Sequence, residues 1–346
     1  MIGIAKRLAL QALTGEAVLA RARAHLPAVH AVVLMYHEVA GDDVDIESWT
    51  VVRSGDLQRQ LDYIARNYDI VSIGDALARL ASPTGRPAAV VTFDDGHKGN
   101  LETLLPIVDS RRIPVTIFVA SGHVESQKAF WFDRLINALQ TADPIELDLR
   151  RFGTLGKYVV NESRGAPNWV QFQRLLQDLK TLDPERCELV ADEIVAELAQ
   201  HPSRPGGRLR PMTPGDIAAL AASPYVEIGG HSHCHRLQTQ LSEQERRESI
   251  ERNRRLLTEW TGRTIEHFAY PSGANDPHVV ATVRASGYRT AMTTAPGLWL
   301  AGSDPFLIPR LGVGRYDGAA TFRAGLFGGA RMLAALLTGA RTAVAS

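Results

Sequence analysis

Short runs of apolar, often β-branched residues recur along most of this 346-residue chain. Each run has the length and composition of a buried strand, and segments with helical periodicity separate several of them. Strands that alternate with helices form parallel βαβ units, and about eight of them favour a closed or nearly closed barrel over an open sheet. The runs cover residues 32–36, 70–73, 88–93, 115–119, 226–229, 266–270, 290–293 and 307–311.

The predicted fold is therefore α/β, a distorted barrel of seven or eight β/α units over residues 31–316. Residues 125–210 break the alternation with long helical stretches, so we expect a largely helical insertion between two barrel strands. The remaining segments are a helical N-terminal segment, residues 1–30, and an amphipathic helical tail, residues 317–346.

Composition narrows the class of protein. Hydrophobic residues make up 45% of the chain and charged residues 22%, as in a soluble globular protein with a full-sized core. The formal net charge is +0, so no overall basic field favours nucleic acid as a partner. Two cysteines are too few for a disulfide scaffold.

Neither end of the sequence predicts a membrane span. The N-terminus lacks the pattern of a cleavable secretion signal, and no stretch approaches the roughly 20 apolar residues that cross a bilayer. We therefore expect a cytoplasmic protein. In the tail, residues 325–346 combine apolar side chains with arginines, a pattern typical of helices that lie peripherally on an anionic membrane surface. We favour a terminal helix docked on its own domain or on a partner chain, with peripheral membrane contact as the alternative.

Two adjacent carboxylates, Asp94 and Asp95, directly follow the apolar run 88–93 and precede Gly96. A simple turn is one interpretation, because Asp and Gly are common turn residues. However, the carboxyl ends of barrel strands form the active face, and neighbouring carboxylates there are costly without a nearby positive charge. A metal ion would supply that charge.

Two histidines, His231 and His235, follow the apolar run 226–229 and stand four residues apart. This spacing is a weak signal by itself, although both rings would lie on one side of a helical turn. Its position at a second strand end places it on the same barrel face as the carboxylates. One carboxylate, two imidazoles and an open position make a catalytic zinc site, and the set also suits other divalent transition metals.

This set predicts metal-assisted hydrolysis. The metal lowers the pKa of bound water toward ~7 and polarises a carbonyl, while the carboxylate that does not bind the metal takes the water proton.

A third strand end is followed by a tight turn, in which the backbone N–H of Ser272 would face a developing oxyanion. An ordinary loop is the alternative. A retaining glycosidase is disfavoured, because it needs two carboxyl groups ~5 Å apart that face each other.

The motifs TFDDG at residues 92–96 and HSxxH at residues 231–235 resemble those of the polysaccharide deacetylase family, carbohydrate esterase family 4 or the NodB homology domain. The resemblance covers residues 32–313 without the insertion. It implies a divalent metal cofactor, zinc first, with cobalt and nickel as alternatives. Position by position, it makes Asp94 the catalytic base and Asp95, His231 and His235 the metal ligands.

The third motif departs from the family pattern. The family often has Arg-x-Pro-Tyr there, with the arginine orienting the base, whereas this chain has AYPS at residues 269–272. That sequence is similar to a bacterial FAYPxG-type subgroup, which also carries a Tyr-His pair like the one at residues 36–37. The resemblance places Tyr270, Pro271 and Ser272 where the oxyanion and the substrate bind.

The family's late Leu-x-His motif, the source of its catalytic acid, is not visible in the corresponding stretch, residues 307–311. We hypothesise that Arg310 supplies the orienting charge beside Asp94. The leaving amine would then receive its proton from Asp94 itself or from a nearby histidine, His37 or His267. A satisfied core histidine is an equal alternative for His37.

The resemblance implies a metal-dependent hydrolase that removes an N-acetyl group from an amino sugar of a poly- or oligosaccharide. The absence of an export signal favours a lipid-linked or nucleotide-linked intermediate as its glycan partner. One alternative is the same scaffold acting on another amide or an acetyl ester. The other is a non-catalytic glycan-binding barrel in a polysaccharide-assembly complex. The sequence leaves the exact sugar and the oligomeric state open.

Overall fold

The protein is described here by a computed structural model that covers residues 11–201 and 207–327. Its strands are His30–Tyr36 (β1), Glu38–Ala40 (β2), Val51–Arg53 (β3), Asp69–Ile70 (β4), Ala88–Phe93 (β5), Val115–Val119 (β6), Ile145–Asp148 (β7), Lys157–Val160 (β8), Val226–Gly230 (β9), His267–Ala269 (β10), Thr290–Met292 (β11), Trp299–Leu300 (β12) and Leu311–Gly312 (β13).

The helices alternate with these strands over much of the chain. The α-helices are Glu16–Arg23 (α1), Ser54–Asn67 (α2), Ile73–Ala81 (α3), Leu105–Arg111 (α4), Ser121–Ser126 (α5), Trp131–Thr141 (α6), Ala166–Leu179 (α7), Pro184–Leu198 (α8), Pro214–Ala222 (α9), Glu243–Thr261 (α10), Pro277–Ala285 (α11) and Ala319–Gly325 (α12). A π-helical turn, Asn100–Leu104, precedes α4, and 3-10 turns occur at Arg150–Phe152, Gln238–Gln240 and Pro271–Gly273.

The main sheet runs in the order β11-β10-β9-β6-β5-β1, and all of these neighbours are parallel. Every residue of β1, β5 and β6 is buried, which explains why these strands appear as unbroken apolar runs in the sequence. Because the strands are parallel, their carboxyl ends lie at one edge of the sheet. The residues that follow β5, β9 and β10 are therefore brought together there.

The sheet closes into a distorted barrel through the segment after β12. Ile308 pairs with Met292 of β11, whereas β13 pairs with β1, with Leu311 opposite Leu34. Pro309 lies between the two pairings and has no N–H to continue a ladder, so the segment changes neighbour there. The barrel prediction is confirmed, but residues 307–311 do not form the single strand expected from the sequence.

The run at 70–73 is also shorter as a strand than predicted. β4 ends at Ile70, and the Ser72 side chain accepts a hydrogen bond from the Asp75 amide to start α3. An N-cap serine satisfies one of the free amides of the first helical turn, so the helix begins inside the apolar run.

Between β6 and β9 the chain forms helices α5 to α9 and, within the predicted insertion, an antiparallel hairpin of β7 and β8, which the sequence did not predict. This segment has its own apolar core, to which Leu135, Phe172 and Ile194 contribute. The same core includes Ile46, between β2 and β3, and Val51 of β3, so the segment packs against this part of the chain.

The two ends of the described chain pack against the barrel. Leu19 of α1 is buried, as are Phe322 of α12 and Phe327 just after it. Arg23 lies over the Phe327 ring at 5.9 Å. Most of the predicted amphipathic tail lies outside the described residues, so membrane contact stays a prediction. Among the described residues, no helix combines the length and hydrophobicity that crossing a bilayer requires.

Candidate active site

Asp95, His231 and His235 converge at the carboxyl ends of β5 and β9. The Nε2 atoms of His235 and His231 lie 3.1 Å and 3.4 Å from the same carboxylate oxygen, Oδ1 of Asp95. One ligand atom from each residue lies within 4.8 Å of the others. Asp95 and His235 both adopt left-handed backbone conformations, with φ of 78° and 51°. Non-glycine residues rarely adopt this conformation, and at functional sites it typically aims a side chain.

The ring of His231 is fixed by the neighbouring strand. Its Nδ1 donates to the carbonyl oxygen of Ala269, at the end of β10, over 2.8 Å. That hydrogen bond fixes Nδ1 as a donor and turns Nε2 toward Asp95, which is the ring orientation that metal-binding histidines usually show. The adjacent strand therefore selects the tautomer that a cation requires.

The ring of His235 is held by aromatic side chains from the segment between β6 and β9. Phe130 packs edge-on against it at 4.7 Å between centroids, and Phe132 lies at 5.6 Å. The Ser232 hydroxyl accepts a hydrogen bond from the His235 amide over 3.1 Å. The second histidine thus depends on residues outside its own motif.

The three side chains suit a divalent transition metal. Burial alone would favour a neutral carboxyl, but the hydrogen bonds from His231 and His235 hold the pKa of Asp95 well below its usual range. An anionic oxygen and two imidazole nitrogens are ligands that zinc, cobalt and nickel accept. The open side of the cluster faces a cavity, so a bound ion would keep room for water and substrate.

Asp94 lies outside this cluster and pairs with Arg310. Two parallel hydrogen bonds join them, both 2.7 Å long, one from each terminal nitrogen of the guanidinium. Burial opposes ionisation of Asp94, but the Arg310 charge lowers its pKa below the usual value. Asp94 is therefore an ionised carboxylate beside, and not within, the candidate ligand set.

Arg310 is fully buried and fixed on several sides. Its Nε donates to the Thr293 carbonyl over 2.9 Å, and a terminal nitrogen donates to the Thr92 hydroxyl over 3.2 Å. The change of neighbour at Pro309 places this residue inside the barrel end. The structure therefore puts Arg310 where the sequence hypothesis needed an orienting charge.

His37 follows β1 and lines the same cavity as Asp94 and Asp95. Its Nδ1 is buried and has no hydrogen-bond partner among the described residues. Burial lowers the pKa of His37 even though the two carboxylates oppose the shift. The neutral ring can donate one hydrogen bond to a substrate and accept another, but it is a weak acid and does not readily give up its proton at neutral pH.

The third motif contributes less than the sequence suggested. Ser272 lines the cavity with φ of 53°, and no hydrogen bond within the described part of the chain engages its amide. Tyr270 is turned into the core, where its hydroxyl donates to Phe306 and its amide to Met292, each over 3.0 Å. Pro271 is buried and is not among the residues that line the cavity. Tyr270 and Pro271 are thus corrected from substrate contacts to structural residues, because the sheet register directs them inward.

His267 is also excluded from the site. It begins β10, at the opposite end of the barrel from the strand ends that carry the carboxylates. Its Nδ1 lies 2.9 Å from the Thr290 hydroxyl, and its Nε2 lies 3.3 Å from Glu227. The proposed role as a proton donor is therefore wrong for His267.

Sequence comparison then decides the family. A family model described as "Polysaccharide deacetylase" matches residues 81–178 and 185–291, which is more than half of the chain. The chain belongs to the polysaccharide deacetylase family. The match runs through much of the segment between β6 and β9, which the sequence resemblance had left out. No curated protein has a significant sequence match to this chain.

Solved structures of other deacetylases share the fold. IcaB from Ammonifex degensii matches with a TM-score of 0.54 and 18% identity, over 88% of this chain and 99% of its own. A de-N-acetylase from Aggregatibacter actinomycetemcomitans gives 0.53 and 13%, over 86% and 99%. The polysaccharide deacetylase BC0361 from Bacillus cereus gives 0.52 and 15%, over 86% and 69%. At these identities the likeness supports the barrel fold alone.

In this member of the polysaccharide deacetylase family, one cavity of about 370 Å³ is lined both by the Asp-His-His cluster and by Asp94. Strand ends of the barrel supply its polar floor. The wall comes from the segment between β6 and β9, and sequence reasoning did not place that wall at the site. The wall residues include Phe130, Trp131, Phe132, Trp169, Leu176, Lys180 and Cys187.

A buried ion pair, also missed from the sequence, ties this wall to the barrel. His97 Nε2 lies 2.9 Å from a carboxylate oxygen of Asp133 on α6, and both side chains are almost inaccessible. Burial opposes protonation of His97, but neighbouring carboxylates, Asp133 first, raise its pKa to about 10. The available signal was a histidine directly after Gly96 and an aspartate within an aromatic run, FWFD.

Proposed function

We propose that this protein is a metal-dependent hydrolase that removes an N-acetyl group from an amino sugar of a poly- or oligosaccharide. Membership of the polysaccharide deacetylase family supports the reaction class. One geometric observation carries the proposal. An Asp-His-His cluster and a separate, arginine-paired carboxylate, Asp94, face the same cavity. A non-catalytic barrel would have no use for an ionised base beside a metal site.

In this proposal Asp95, His231 and His235 would hold the metal, and a divalent cation held there would acidify water and polarise the acetamide carbonyl. Asp94 accepts a proton from the water molecule that attacks the carbonyl carbon. Arg310 acts through Asp94, because its two hydrogen bonds keep the carboxylate ionised and aimed.

The second half of the reaction breaks the carbon–nitrogen bond. Asp94 returns the proton to the amine nitrogen as it leaves, so acetate and a free amino sugar are the products. The amide of Ser272 donates to the developing oxyanion. The neutral ring of His37, which lines the cavity, binds the substrate and does not serve as the acid, since its pKa is lowered by burial.

The proposal is tested by metal content and acetate release in the wild type and in Asp94→Asn, with N-acetylglucosamine oligomers as substrate. We expect the variant to keep its metal and to lose about 10²–10⁴-fold in rate, the usual contribution of a general base. Asp56→Asn, on the exposed side of α2, is the control and should behave like the wild type.

Two results would reject this assignment. The first is that both proteins stay metal-free after incubation with zinc or cobalt. The second is that Asp94→Asn turns over at the wild-type rate. Release of acetate from O-acetyl sugars but not from N-acetyl sugars would favour the esterase alternative, because the same residues serve both bonds.

A further inference from the structure

Two cationic side chains, Lys180 and Arg236, line the active-site cavity. Lys180 follows the last turn of α7, and Arg236 directly follows the candidate ligand His235. Within the described part of the chain, neither side chain has an ion pair or a hydrogen bond. Lys180 is exposed and Arg236 is half-buried, so both charges remain available to a ligand in the cavity.

The carboxylates around the same cavity all have partners. Asp94 is paired with Arg310 at 2.7 Å, and Asp95 faces the two imidazoles. Glu188 is engaged by Arg134 at 2.8 Å and by Lys128 at 3.7 Å. The uncompensated charge around the cavity is therefore positive, and a divalent cation on Asp95 would make it more so.

The surroundings of Lys180 strengthen this effect. It lines the same cavity as Asp95 and interacts with that carboxylate electrostatically. Apolar side chains, including Trp169, Leu176 and Leu182, share the cavity wall with it. Charges interact more strongly where apolar walls displace water, which favours capture of an anion.

We propose that Lys180 and Arg236 bind an anionic group of the substrate, a phosphate or a carboxylate attached to the N-acetylated sugar. This inference rests on the proposed deacetylase function, because it assigns the substrate class of the same cavity. Arginine suits a phosphate or carboxylate through its planar fork, and lysine adds a mobile point charge. The acetamide of such a substrate would lie over Asp95 and the two histidines.

The test compares three probes: N-acetylglucosamine, N-acetylglucosamine 1-phosphate and a disaccharide of N-acetylglucosamine with glucuronic acid. Calorimetry gives the affinity of each probe, and acetate release gives its KM and kcat. We expect the wild type to favour at least one anionic probe by about tenfold or more, the effect of one charge-assisted hydrogen bond. The preference should weaken as salt rises. The better anionic probe identifies phosphate or carboxylate as the recognised group.

Lys180→Met and Arg236→Gln should each remove most of this preference, and the double variant should remove it. Lys157→Met, in the exposed β7–β8 hairpin, and Arg255→Gln, on the exposed face of α10, are matched controls that should keep it. Equal affinity of the wild type for neutral and anionic probes would overturn the inference. So would an unchanged preference in the double variant.

Calorimetry separates this inference from the proposed reaction. Binding that depends on Lys180 and Arg236, without acetate release from any probe, would support the anion site and reject the hydrolase. Efficient release of acetate from neutral oligomers, without any preference for the anionic probes, would support the hydrolase and reject the anion site.

Discussion

The two sides of the active-site cavity are built differently. On the barrel side, buried polar groups are matched partner to partner, as in the pair of Asp94 and Arg310, which are 3% and 0% exposed. On the wall side, between β6 and β9, aromatic side chains and the unpaired Lys180 face the cavity. Matched buried charges tolerate little change, whereas an apolar wall can vary in shape. The barrel side thus suits one fixed reaction, and the wall suits the choice of substrate.

The two sides are nevertheless connected. Phe130 and Phe132 of the wall pack on the ring of His235, and Asp133 of the wall pairs with His97 of the barrel. A change in the wall can therefore affect the candidate ligand His235 without replacing any of the candidate metal ligands. The following variants separate changes that disable the barrel side from changes that only retune the wall.

The largest effect is expected for Arg310→Met. The substitution leaves Asp94 buried without a counter-charge, which costs about 3–5 kcal/mol in the free energy of unfolding. Acetate release should fall about as far as in Asp94→Asn, because the base loses its orientation. Denaturant unfolding and acetate release measure the two effects.

Arg310→Lys serves as the control for charge alone. Lysine keeps the positive charge but cannot form the paired hydrogen bonds, so it should recover stability more than activity. Wild-type turnover in Arg310→Met would show that Arg310 has no part in the reaction.

The next effect is expected at the link between the sides. His97→Gln and Asp133→Asn should each lower the free energy of unfolding by about 3 kcal/mol, because each leaves a buried partner uncompensated. The double variant should lose much less than the sum, since the pair acts as one unit. A double-mutant cycle by denaturant unfolding measures the coupling, and additive losses would show that the two residues act independently.

The contrast between the sides also explains what the sequence revealed. Each barrel strand is one continuous stretch of sequence, so its apolar run is visible without tertiary information. These runs predicted the first and last residues of β5 and β6. The motifs after β5 and β9 predicted that a carboxylate would meet His231 and His235, since carboxyl ends of parallel strands share one edge, and the family resemblance named Asp95 as that carboxylate. The reversal of neighbours at Pro309 was not predicted, because it depends on how the barrel closes.

The wall was beyond the reach of sequence patterns for a physical reason. Trp131 and Lys180 carry no motif, and their place depends on how helices pack over the barrel. Packing of this kind is set by tertiary contacts and not by periodicity.

At Tyr270 the sequence predicted a role that the structure does not support. Its motif pointed to the substrate, but the sheet register turns its side chain toward the carbonyl of Phe306.

A smaller effect is expected from the wall itself. Trp131→Ala should raise KM for N-acetylglucosamine oligomers by about five- to tenfold, the value of one aromatic contact, with little change in kcat. Trp131 lines the cavity but does not contact the candidate ligands in the way Phe130 does. Leu189→Ala, at an exposed position of α8, is the control. A large fall in kcat with constant KM would place Trp131 on the reacting side.

The smallest effect is expected for Tyr270→Phe. The change removes one buried hydroxyl and its 3.0 Å hydrogen bond to Phe306, without altering the ring packing. The free energy of unfolding should fall by about 1 kcal/mol, while kcat and KM stay at wild-type values. A fall in kcat or a rise in KM, in protein that is still fully folded, would return Tyr270 to the substrate site. The reacting part of the cavity would then include a hydroxyl that the hydrogen bond to Phe306 assigns to the barrel core.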